Sequence, residues 1–395
     1  MLRFLTAGES HGKGLVVIIE GLPAGLQITK EAIQDELGRR RLGYGRGPRM
    51  RFERDEVTLL SGIRHGETLG SPISILIDNT EWPKWEVEMS PAPGQSEKVL
   101  TQPRPGHADL AGMQKYNRAD ARDILERASA RETAARVAAG ACAKAFLDNF
   151  NVHVFSHVTA LGTAHVPENI AKPTFDQLDA IDANEVRCAH AESTDALVAE
   201  VKAAAKVGDS LGGIAEVIAS GVPVGLGSHV QWDRKLDGLL GQALMSIQAI
   251  KAVELGEGIS VAGQRGSSGH DAISWNEGSK SYSRSTHLAG GIEGGISTGA
   301  LLTAKLWMKP LATLSRPTLK TVDVVTKEET VSFRERTDVT AVPAMGVVAE
   351  SMTALVLANE VLRKFGGDSM PEILRNFSAF NESLHSGIGG VSNDA

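Results

Sequence analysis

The sequence predicts a mixed α+β fold built as one large domain. Its predicted strands and helices do not alternate regularly, as they would in a doubly wound parallel sheet. No GxGxxG follows a predicted strand and no GxxxxGK(S/T) occurs, so the dinucleotide-binding and P-loop fingerprints are both missing. An alanine-rich segment at residues 129–149 indicates a helix packed in the interior. No linker divides the chain, so we treat residues 1–395 as a single domain.

The composition is that of a globular protein from a reducing compartment. Of the 395 residues, 42% are hydrophobic and 23% are charged, which is ordinary for a soluble protein. Cys142 and Cys188 form no CxxC pair, which disfavours a disulfide framework and favours the cytoplasm. The N-terminal apolar run is too short for a signal peptide, and we find no run of the ~20 apolar residues that a membrane span needs. The net charge of -7 argues against a general nucleic-acid-binding protein.

Short apolar runs and turn residues define the elements of the N-terminal third. Thr29 is placed to cap a helix that runs toward Arg41 and stops at Gly43. Five prolines at residues 79–106 predict a long irregular connection, and such connections are often functional. The β-branched apolar runs predict strands at residues 15–19, 57–60 and 73–77.

The rest of the chain mixes strands with longer helices. The clearest helix covers residues 129–149, where Ser129 and Glu132 have the spacing of a capping box. The last fifteen or so residues are polar and rich in glycine and serine, which predicts a flexible tail. Periodicity predicts further strands at 152–158 and 301–307 and further helices at 194–207, 235–253 and 352–365.

A concentrated run of arginines stands out on this acidic chain. Residues 39–51 hold six arginines in thirteen positions, and no acid lies between Glu36 and Glu53. Glycines at 43, 45 and 47 would break a helix that presented these arginines as a solvated stripe. Arginine on a loop suits an anionic ligand, because its guanidinium binds carboxylate and phosphate with two parallel hydrogen bonds.

Two histidines lie in glycine-flanked turns. His11 is in Gly-Glu-Ser-His-Gly at residues 8–12, and His107 is in Arg-Pro-Gly-His-Ala-Asp at residues 104–109. Imidazole suits proton transfer near neutral pH. Either histidine alone could simply face solvent, but two of them beside an arginine run favour a site. A zinc site is disfavoured, because Asp109 is the one further ligand at positions two to five residues after either histidine.

Three more segments could belong to the same site. The helix start at residues 127–132 offers free N–H groups and two arginines to an anion, although these charges could equally solvate the first turn. The glycines of residues 290–299 allow close backbone approach to a ligand, or form a structural turn. Residues 334–338 place Asp338 beside two arginines, as a surface ion-pair cluster would. Together the segments suit a small substrate with several negative charges and a phosphate leaving group.

These segments, in this order and over nearly the whole chain, resemble the chorismate synthase family. The resemblance implies an enzyme that converts 5-enolpyruvylshikimate 3-phosphate to chorismate and phosphate. Members of the family perform a 1,4-anti elimination that requires reduced FMN without net oxidation or reduction. The fold implied is a β-α-β sandwich with a helical core between two antiparallel sheets, assembled as a homotetramer.

The resemblance also implies roles for individual residues. His11 would donate a proton to the departing phosphate, His107 would lie near the reduced flavin, and Asp338 would work with flavin N5 in removing the C6 proton. Three arginines would hold the substrate phosphate and carboxylates: Arg40, Arg46 and Arg49. The family assigns the first two of these, Arg40 and Arg46, also to NADP. FMN contacts would fall on Arg127, Ala128, Ser129, Gln248, Ala249, Gly294, Lys309, Pro310, Leu311, Ala312, Thr313 and Arg336.

Two departures and one alternative accompany this resemblance. Ala312 stands where many members have serine, and His287 occupies a position that often carries a small polar residue, so flavin contacts could differ there. The alternative is a non-catalytic protein that binds RNA or polyphosphate through residues 39–51. Tyr44 and Phe52 are the aromatics near these arginines, so base-stacking surfaces are few. Without a dinucleotide fingerprint or a reductase-like segment, we expect an external flavin reductant.

Overall fold

Two antiparallel sheets enclose a layer of helices in the computed structural model, which describes residues 1–46, 55–168, 170–278, 281–333 and 337–386. The predicted α+β class and the sandwich implied by the family resemblance are confirmed. In the N-terminal half the elements are β1 (Arg3–Ala7), β2 (Gly14–Glu20), β3 (Ala24–Gln27), α1 (Lys30–Arg39), β4 (Val57–Ser61), β5 (Ile63–Arg64), β6 (Glu67–Leu69), β7 (Ile73–Asp78), α2 (Asp109–Tyr116), α3 (Arg122–Ala128), α4 (Thr133–Asp148), β8 (His153–Leu161), β9 (Ala164–His165) and α5 (Leu178–Ala183).

The C-terminal half adds shorter strands and the longest helix. In chain order its elements are α6 (Thr194–Val207), β10 (Gly213–Ser220), α7 (Leu236–Met245), β11 (Ile250–Leu255), α8 (Gly258–Val261), β12 (Ile273–Asn276), β13 (Ser281–Arg284), β14 (Ile292–Glu293), β15 (Ile296–Ser297), β16 (Leu302–Met308), β17 (Lys320–Val322), β18 (Glu329–Val331), α9 (Val342–Phe365) and α10 (Met370–Ser386).

The first large sheet has four strands in the order β1-β2-β7-β4. Leu15 of β2 lies opposite Ile77 of β7, and Val17 lies opposite Ile75. Alternate residues of a strand point to the same face, so these four buried side chains form one apolar surface. That surface packs on α4. A smaller three-stranded sheet, in the order β3-β6-β5, is formed by strands from the same N-terminal part of the sequence.

The second large sheet has five strands in the order β11-β16-β10-β8-β9. Val217 and its alternate neighbours are buried, and this face of β10 and β8 packs against α9. The opposite face carries a row of charged residues that lie side by side across four strands. In this row His157 contacts Glu216, and Lys305 contacts Glu254.

The helical layer between the sheets consists of α4 and α9, which pack directly on each other. A Cβ atom added to Gly140 of α4 would lie 2.2 Å from the Cβ of Ser351 in α9. The many alanines of α4 are therefore explained, because small side chains let the two helices approach closely. Helix α9 is long and apolar enough to cross a membrane, but most of it is buried inside the protein, as in a core helix.

A buried carboxylate ties this layer to its surroundings. Glu350 of α9 is 0% exposed. Its oxygens lie 2.6 Å from Arg39 Nη1, 2.6 Å from Lys144 Nζ and 3.2 Å from Arg187 Nη2. Burial raises the pKa of a carboxyl group, but these three cations outweigh it and hold the pKa of Glu350 well below its usual range. The carboxylate is ionised, and it joins α1, α4, α9 and the segment after α5.

Most predicted elements are confirmed, and four details are wrong. Residues 235–253 do not form one helix, because α7 ends at Met245 and the chain enters sheet pairing at Ile250. Helix α9 begins ten residues before the predicted start at 352, and it is buried on nearly all sides rather than amphipathic. The capping box is incomplete, because Glu132 bonds to other side chains. Helix α10 includes the start of the predicted flexible tail, and residues 387–395 lie outside the described residues.

Replacing Gly140 with alanine tests the close approach of α4 and α9. Overpacking a core costs typically about 1–3 kcal/mol, which exceeds the gain of up to about 1 kcal/mol that alanine brings to a helix interior. We expect Gly140→Ala to lower the free energy of unfolding in a denaturant titration. Gly241→Ala in α7 is the control: no described heavy atom lies within 4 Å of its added Cβ, so this variant should be unchanged or more stable. Equal stability of both variants would contradict the close packing.

Replacing Glu350 with glutamine tests the buried ion cluster and its pH dependence. Breaking a buried ion pair costs about 3–5 kcal/mol, so the variant should be much less stable at pH 7. The folded pKa of Glu350 lies below its unfolded value, so this stability is present above about pH 4.3 and is lost as the pH falls further. The stability difference should therefore shrink in acid. Glu328→Gln, at an exposed position, should change stability by less than about 0.5 kcal/mol at every pH. A pH-independent difference at Glu350 would refute the ion-pair account.

Candidate functional site

His11 lies in the turn between β1 and β2, against a buried carboxylate. Its Nδ1 is 2.9 Å from Glu126 Oε1, and its backbone N–H donates to Glu126 Oε2 at 2.8 Å. The ring of Trp85 packs on the imidazole at 4.0 Å between centroids with the planes tilted by 31°, and the guanidinium of Arg122 lies over the Trp85 ring at 4.9 Å. Asn79 holds the turn by donating to two of its carbonyl oxygens. This histidine is fixed on several sides rather than free in solvent.

His107 also contacts a buried carboxylate. Its Nδ1 is 2.5 Å from Oδ1 of Asp109, which is fully buried at the start of α2. Arg104 donates from Nε to the other oxygen of this carboxylate and from Nη1 to Oγ1 of Thr313. Burial raises the pKa of Asp109, but the hydrogen bonds from His107 and Arg104 outweigh it and hold that pKa well below its usual range. Lys309 donates to the carbonyl oxygen of Gly106, so the strand end at residue 309 meets the His107 turn.

The first two arginines of the run, Arg39 and Arg40, lie at the end of a helix and not on the loop that the sequence predicts, while residues 47–51 lie outside the described residues. Arg39 is the last residue of α1 and is used in the Glu350 cluster. Arg40 caps the same helix and is 5% exposed, with Nε donating to Thr133 Oγ1 at 3.0 Å and Nη2 donating to the carbonyl oxygen of Ala130 at 3.1 Å. The helical conformation continues to Arg40 because Gly43, the first glycine of the arginine run, comes three residues later. Arg49 lies outside the described residues.

Arg40 nevertheless belongs to a compact group of opposite charges. Asp55 lies between Arg40 and Arg131, and Arg46 Nη1 is 3.3 Å from Asp338 Oδ2. Burial, together with the neighbouring arginines, lowers the pKa of Arg40 to about 10, so it remains charged at neutral pH. Three cations face two carboxylates in this group of described residues, which leaves an excess of positive charge. Within those residues Nη1 of Arg40 is buried 4.0 Å from Asp55 Oδ2 and has no hydrogen-bond acceptor, so it can donate a hydrogen bond to an anionic ligand.

The residues predicted at the start of α4 lie beside the His11 turn. Arg127 donates to the carbonyl oxygens of Gly8 and Thr6 at 3.0 and 2.8 Å. Ser129 Oγ is 3.2 Å from Ser10 Oγ. Ala128 lies between them as the last residue of α3. The structure thus brings this predicted segment together with His11.

Gln248 and Ala249 join a second predicted segment to the first. Gln248 Nε2 donates to Glu132 at 3.0 Å, while its Oε1 is buried and, among the described residues, has no hydrogen-bond donor. Ala249 has φ of 67°, a left-handed conformation that is uncommon without glycine and often marks a functional site. Its carbonyl oxygen accepts from the backbone N–H of Lys309 at 3.0 Å. Residues 309–313 complete this part of the candidate site. The carbonyl oxygen of Leu311 accepts a hydrogen bond from Ser210, and Ala312 lies near Gly106.

Gly294 and His287 have no contact with this group among the described residues. Gly294 lies in the β14–β15 hairpin, whose hydrogen bonds and close contacts in the described part of the chain run to residues 223–236, 284 and 289–291. His287 accepts a backbone hydrogen bond from Gly290 at the base of that hairpin. Arg336 lies outside the described residues. Asp338 is in the group, through Arg46.

Sequence reasoning missed three residues that complete the site. Glu126 is 115 positions from His11 and shows no pattern that distinguishes it from other helical acids. Trp85 lies in the proline-rich connection, which was identified as functional without a particular residue. Asp55 follows the arginine run directly, and this adjacency is the one signal that could have indicated it.

Comparisons with known proteins agree on one family. A family model described as chorismate synthase matches residues 2–362. A chorismate synthase of Micrococcus luteus is 53% identical over 392 residues, covering 97% of this chain and 95% of that protein. That of Streptomyces coelicolor is 55% identical over 392 residues, covering 97% and 98%. A crystal structure of chorismate synthase superposes with a TM-score of 0.79 and 41% identity, covering 98% of this chain and 99% of the other.

Proposed function

The chain belongs to the chorismate synthase family, and we propose that the two carboxylate-bound histidines, Asp338 and the buried arginines perform the reaction of that family. The enzyme is a carbon–oxygen lyase that converts 5-enolpyruvylshikimate 3-phosphate to chorismate and phosphate, with reduced FMN and no net redox change. This is the last common step of the shikimate pathway to the aromatic amino acids. The observation that carries the site assignment is the pairing of both histidines with buried carboxylates beside excess positive charge.

The substrate binds through its three anionic groups. Arg40, Arg46 and Arg49 hold its phosphate and carboxylates. For Arg40 this is supported by its buried Nη1, which lies 4.0 Å from Asp55 Oδ2 and has no hydrogen-bond acceptor among the described residues. Binding an anion there also compensates the unfavourable burial of Arg40. Arg46 can exchange its contact with Asp338 for the substrate, which would leave that carboxylate available to take a proton.

The elimination breaks two bonds on opposite faces of the ring. His11 gives a proton to the phosphate oxygen as the carbon–oxygen bond breaks and the electron pair leaves with phosphate. The fixed arginines stabilise the charge that develops on the leaving group. Asp338 accepts the C6 proton, and the electrons of that C–H bond form one new ring double bond. The existing ring double bond shifts by one position to the carbon that loses phosphate, and phosphate leaves with the electron pair of the broken C–O bond, so atoms and charge balance.

The residues around the two histidines fit FMN. The unpartnered Oε1 of Gln248 is an acceptor for the N–H edge of a flavin, and the left-handed Ala249 presents backbone beside it. Lys309 lies near a second lysine, Lys251, and burial together with this neighbour lowers its pKa, so an anionic phosphate would be favoured there. Reduced FMN, when bound, supplies electron density to the breaking carbon–oxygen bond. We propose that the imidazole of His107 faces this ligand, which is supported by the hydrogen bond from Lys309 to the carbonyl oxygen of the adjacent Gly106.

Assembly as a homotetramer is part of the proposal. Strand β1 is an edge of its sheet, and Leu5 on it is 70% exposed. Beside it a cavity of about 320 Å³ is lined mainly by apolar side chains of β1, α7 and α9. An open edge strand beside an apolar cavity suits contact with a second copy of the chain. The two free, buried cysteines support a cytoplasmic location.

The alternative of RNA or polyphosphate binding is not supported. It needs Arg39 and Arg40 on an accessible basic loop, and both are largely buried in contacts with other side chains. The comparisons also match an enzyme family over nearly the whole chain.

Release of phosphate tests the proposed function directly. Purified enzyme with reduced FMN under anaerobic conditions should release phosphate from 5-enolpyruvylshikimate 3-phosphate and form chorismate. His11→Ala and His107→Ala should each lower kcat by roughly 10²–10⁴-fold, the usual contribution of a proton-transfer group. His165→Ala, at an exposed position on β9, is the matched control and should keep the wild-type rate. Wild-type rates in both site variants would mean that the histidines have been misassigned.

An external source of reduced flavin is the remaining part of the proposal. It is supported by the lack of a dinucleotide-binding fingerprint in the sequence. Anaerobic NADPH with oxidised FMN and substrate should therefore give no chorismate, whereas dithionite-reduced FMN should. NADPH oxidation coupled to chorismate formation would show that the enzyme reduces its own flavin.

A further inference from the structure

The two proposed catalytic histidines share one arrangement that the family resemblance does not assign. Each has its Nδ1 against a buried carboxylate: Glu126 for His11, at 2.9 Å, and Asp109 for His107, at 2.5 Å. The two carboxylate side chains are 3% and 0% exposed, so they are withdrawn from solvent. Each is also bound by an arginine of its own, Arg122 or Arg104.

The chemistry of these contacts fixes a proton. An ionised carboxylate can only accept hydrogen bonds, so Nδ1 of each histidine must carry the hydrogen. Glu126 is ionised because the hydrogen bonds from His11 and the charge of Arg122 outweigh the effect of burial and lower its pKa. Each Nε2 is then the ring nitrogen that does not contact the carboxylate and can face a ligand, although Nε2 of His107 also lies 3.5 Å from Arg104 Nη2. A carboxylate in this position also stabilises the imidazolium form.

Arg104 adds a competing contact at His107. Its Nη2 lies 3.1 Å from Nδ1, and a guanidinium can only donate. Nδ1 cannot both donate to Asp109 and accept from Arg104. The carboxylate contact is shorter, and the same Nη2 also donates to Asp109 Oδ1 at 3.2 Å. The hydrogen therefore lies between Nδ1 and Asp109, with Arg104 bound to the carboxylate.

Both carboxylates belong to one small structural unit. Asp109 begins α2 and Glu126 lies near the end of α3, and these two helices pack together. Between them Met113, Ala121 and Leu125 form a separate apolar cluster. A Cβ on Gly112 would lie 2.4 Å from the side chain of Ile124, so the helices are in close contact. The orientation of both histidines is thus set by the same pair of helices.

We propose that Glu126 and Asp109 are positioning residues for the elimination, each holding one histidine by Nδ1 so that Nε2 faces the ligand. The inference rests on the proposed function, since it requires His11 and His107 to act in the reaction. The carboxylates do not touch the substrate. They act by fixing the tautomer and ring orientation of the groups that do.

The first test is spectroscopic. In 15N spectra of histidine-labelled enzyme, signals that disappear in His11→Ala or His107→Ala identify the two rings. Wild-type enzyme should show Nδ1 protonated in both. Glu126→Ala should give His11 an Nε2-protonated or mixed signal, and Asp109→Ala should do the same for His107. Unchanged signals in both variants would overturn the inference.

The second test separates positioning from a general structural role. Glu126→Ala and Asp109→Ala should each lower kcat by about 10²-fold or more with KM within about threefold, because orientation and not binding is lost. In the His11→Ala background, Glu126→Ala should change kcat by less than about twofold, and the same should hold for Asp109→Ala with His107→Ala. Equal losses with and without the histidine would show a merely structural role and overturn the proposal.

Conservative variants keep the test decisive if an alanine variant does not fold. Glu126→Gln and Asp109→Asn retain an acceptor oxygen but no charge, so they should keep the Nδ1-protonated signal and lose about tenfold in kcat. Glu216→Gln is the matched control: it alters a buried Glu–His pair, with His157, on the far face of the five-stranded sheet, and should leave kcat unchanged. Full kcat in Glu126→Gln and Asp109→Asn, together with full kcat in whichever alanine variants fold, would refute positioning.

The outcomes distinguish this inference from the function on which it rests. If His11→Ala and His107→Ala keep wild-type activity, the proposed roles of the histidines are wrong. If those variants are inactive but Glu126→Ala and Asp109→Ala are fully active, the histidines act without positioning by the carboxylates, and this inference alone is wrong.

Discussion

The buried carboxylate of Glu350 is the interaction on which the rest of the structure depends. It lies inside the central helical layer with no exposure and accepts from Arg39, Lys144 and Arg187, which come from three separate segments. A charge in that position is stable only when all its partners are in place, so it specifies how the helices meet. Arg39 is the last residue of α1, and Arg40 follows it directly. Because Arg39 is fixed in the core, the position of Arg40 at the candidate site is fixed as well.

The site itself is assembled from loops at the edge of this rigid frame. Hydrogen bonds of three kinds, side chain to backbone, side chain to side chain and backbone to backbone, join these loops. The loops are the His11 turn, the His107 turn, the start of α4 and residues 248–249 and 309–313. Loops supply the chemistry, while the sheets and α4 supply the geometry. The buried carboxylates beside both histidines extend the same principle, because they orient the reactive groups before any ligand arrives.

The sequence predicted the elements whose cause is local. Residues 194–207 coincide with α6, and Thr29 caps α1 as expected, because capping and periodicity act over a few residues. Prediction from the sequence failed where contacts with residues distant in the chain determine the position of a side chain. Arg40 was expected on a loop, yet its burial depends on Thr133 and Ala130. Glu126 was missed because its partner is 115 positions away. The candidate site residues were predicted from the family resemblance, and no local pattern could show which of them meet.

A structure of the enzyme with oxidised FMN and 5-enolpyruvylshikimate 3-phosphate would test the central claim most directly, since without reduced flavin the substrate stays intact. The account predicts that the substrate phosphate lies within hydrogen-bond distance of His11 Nε2 and of Arg40 Nη1, and that Nδ1 of both histidines stays on Glu126 and Asp109. A phosphate bound away from His11 and Arg40, or histidine rings turned so that Nδ1 faces the ligand, would contradict it.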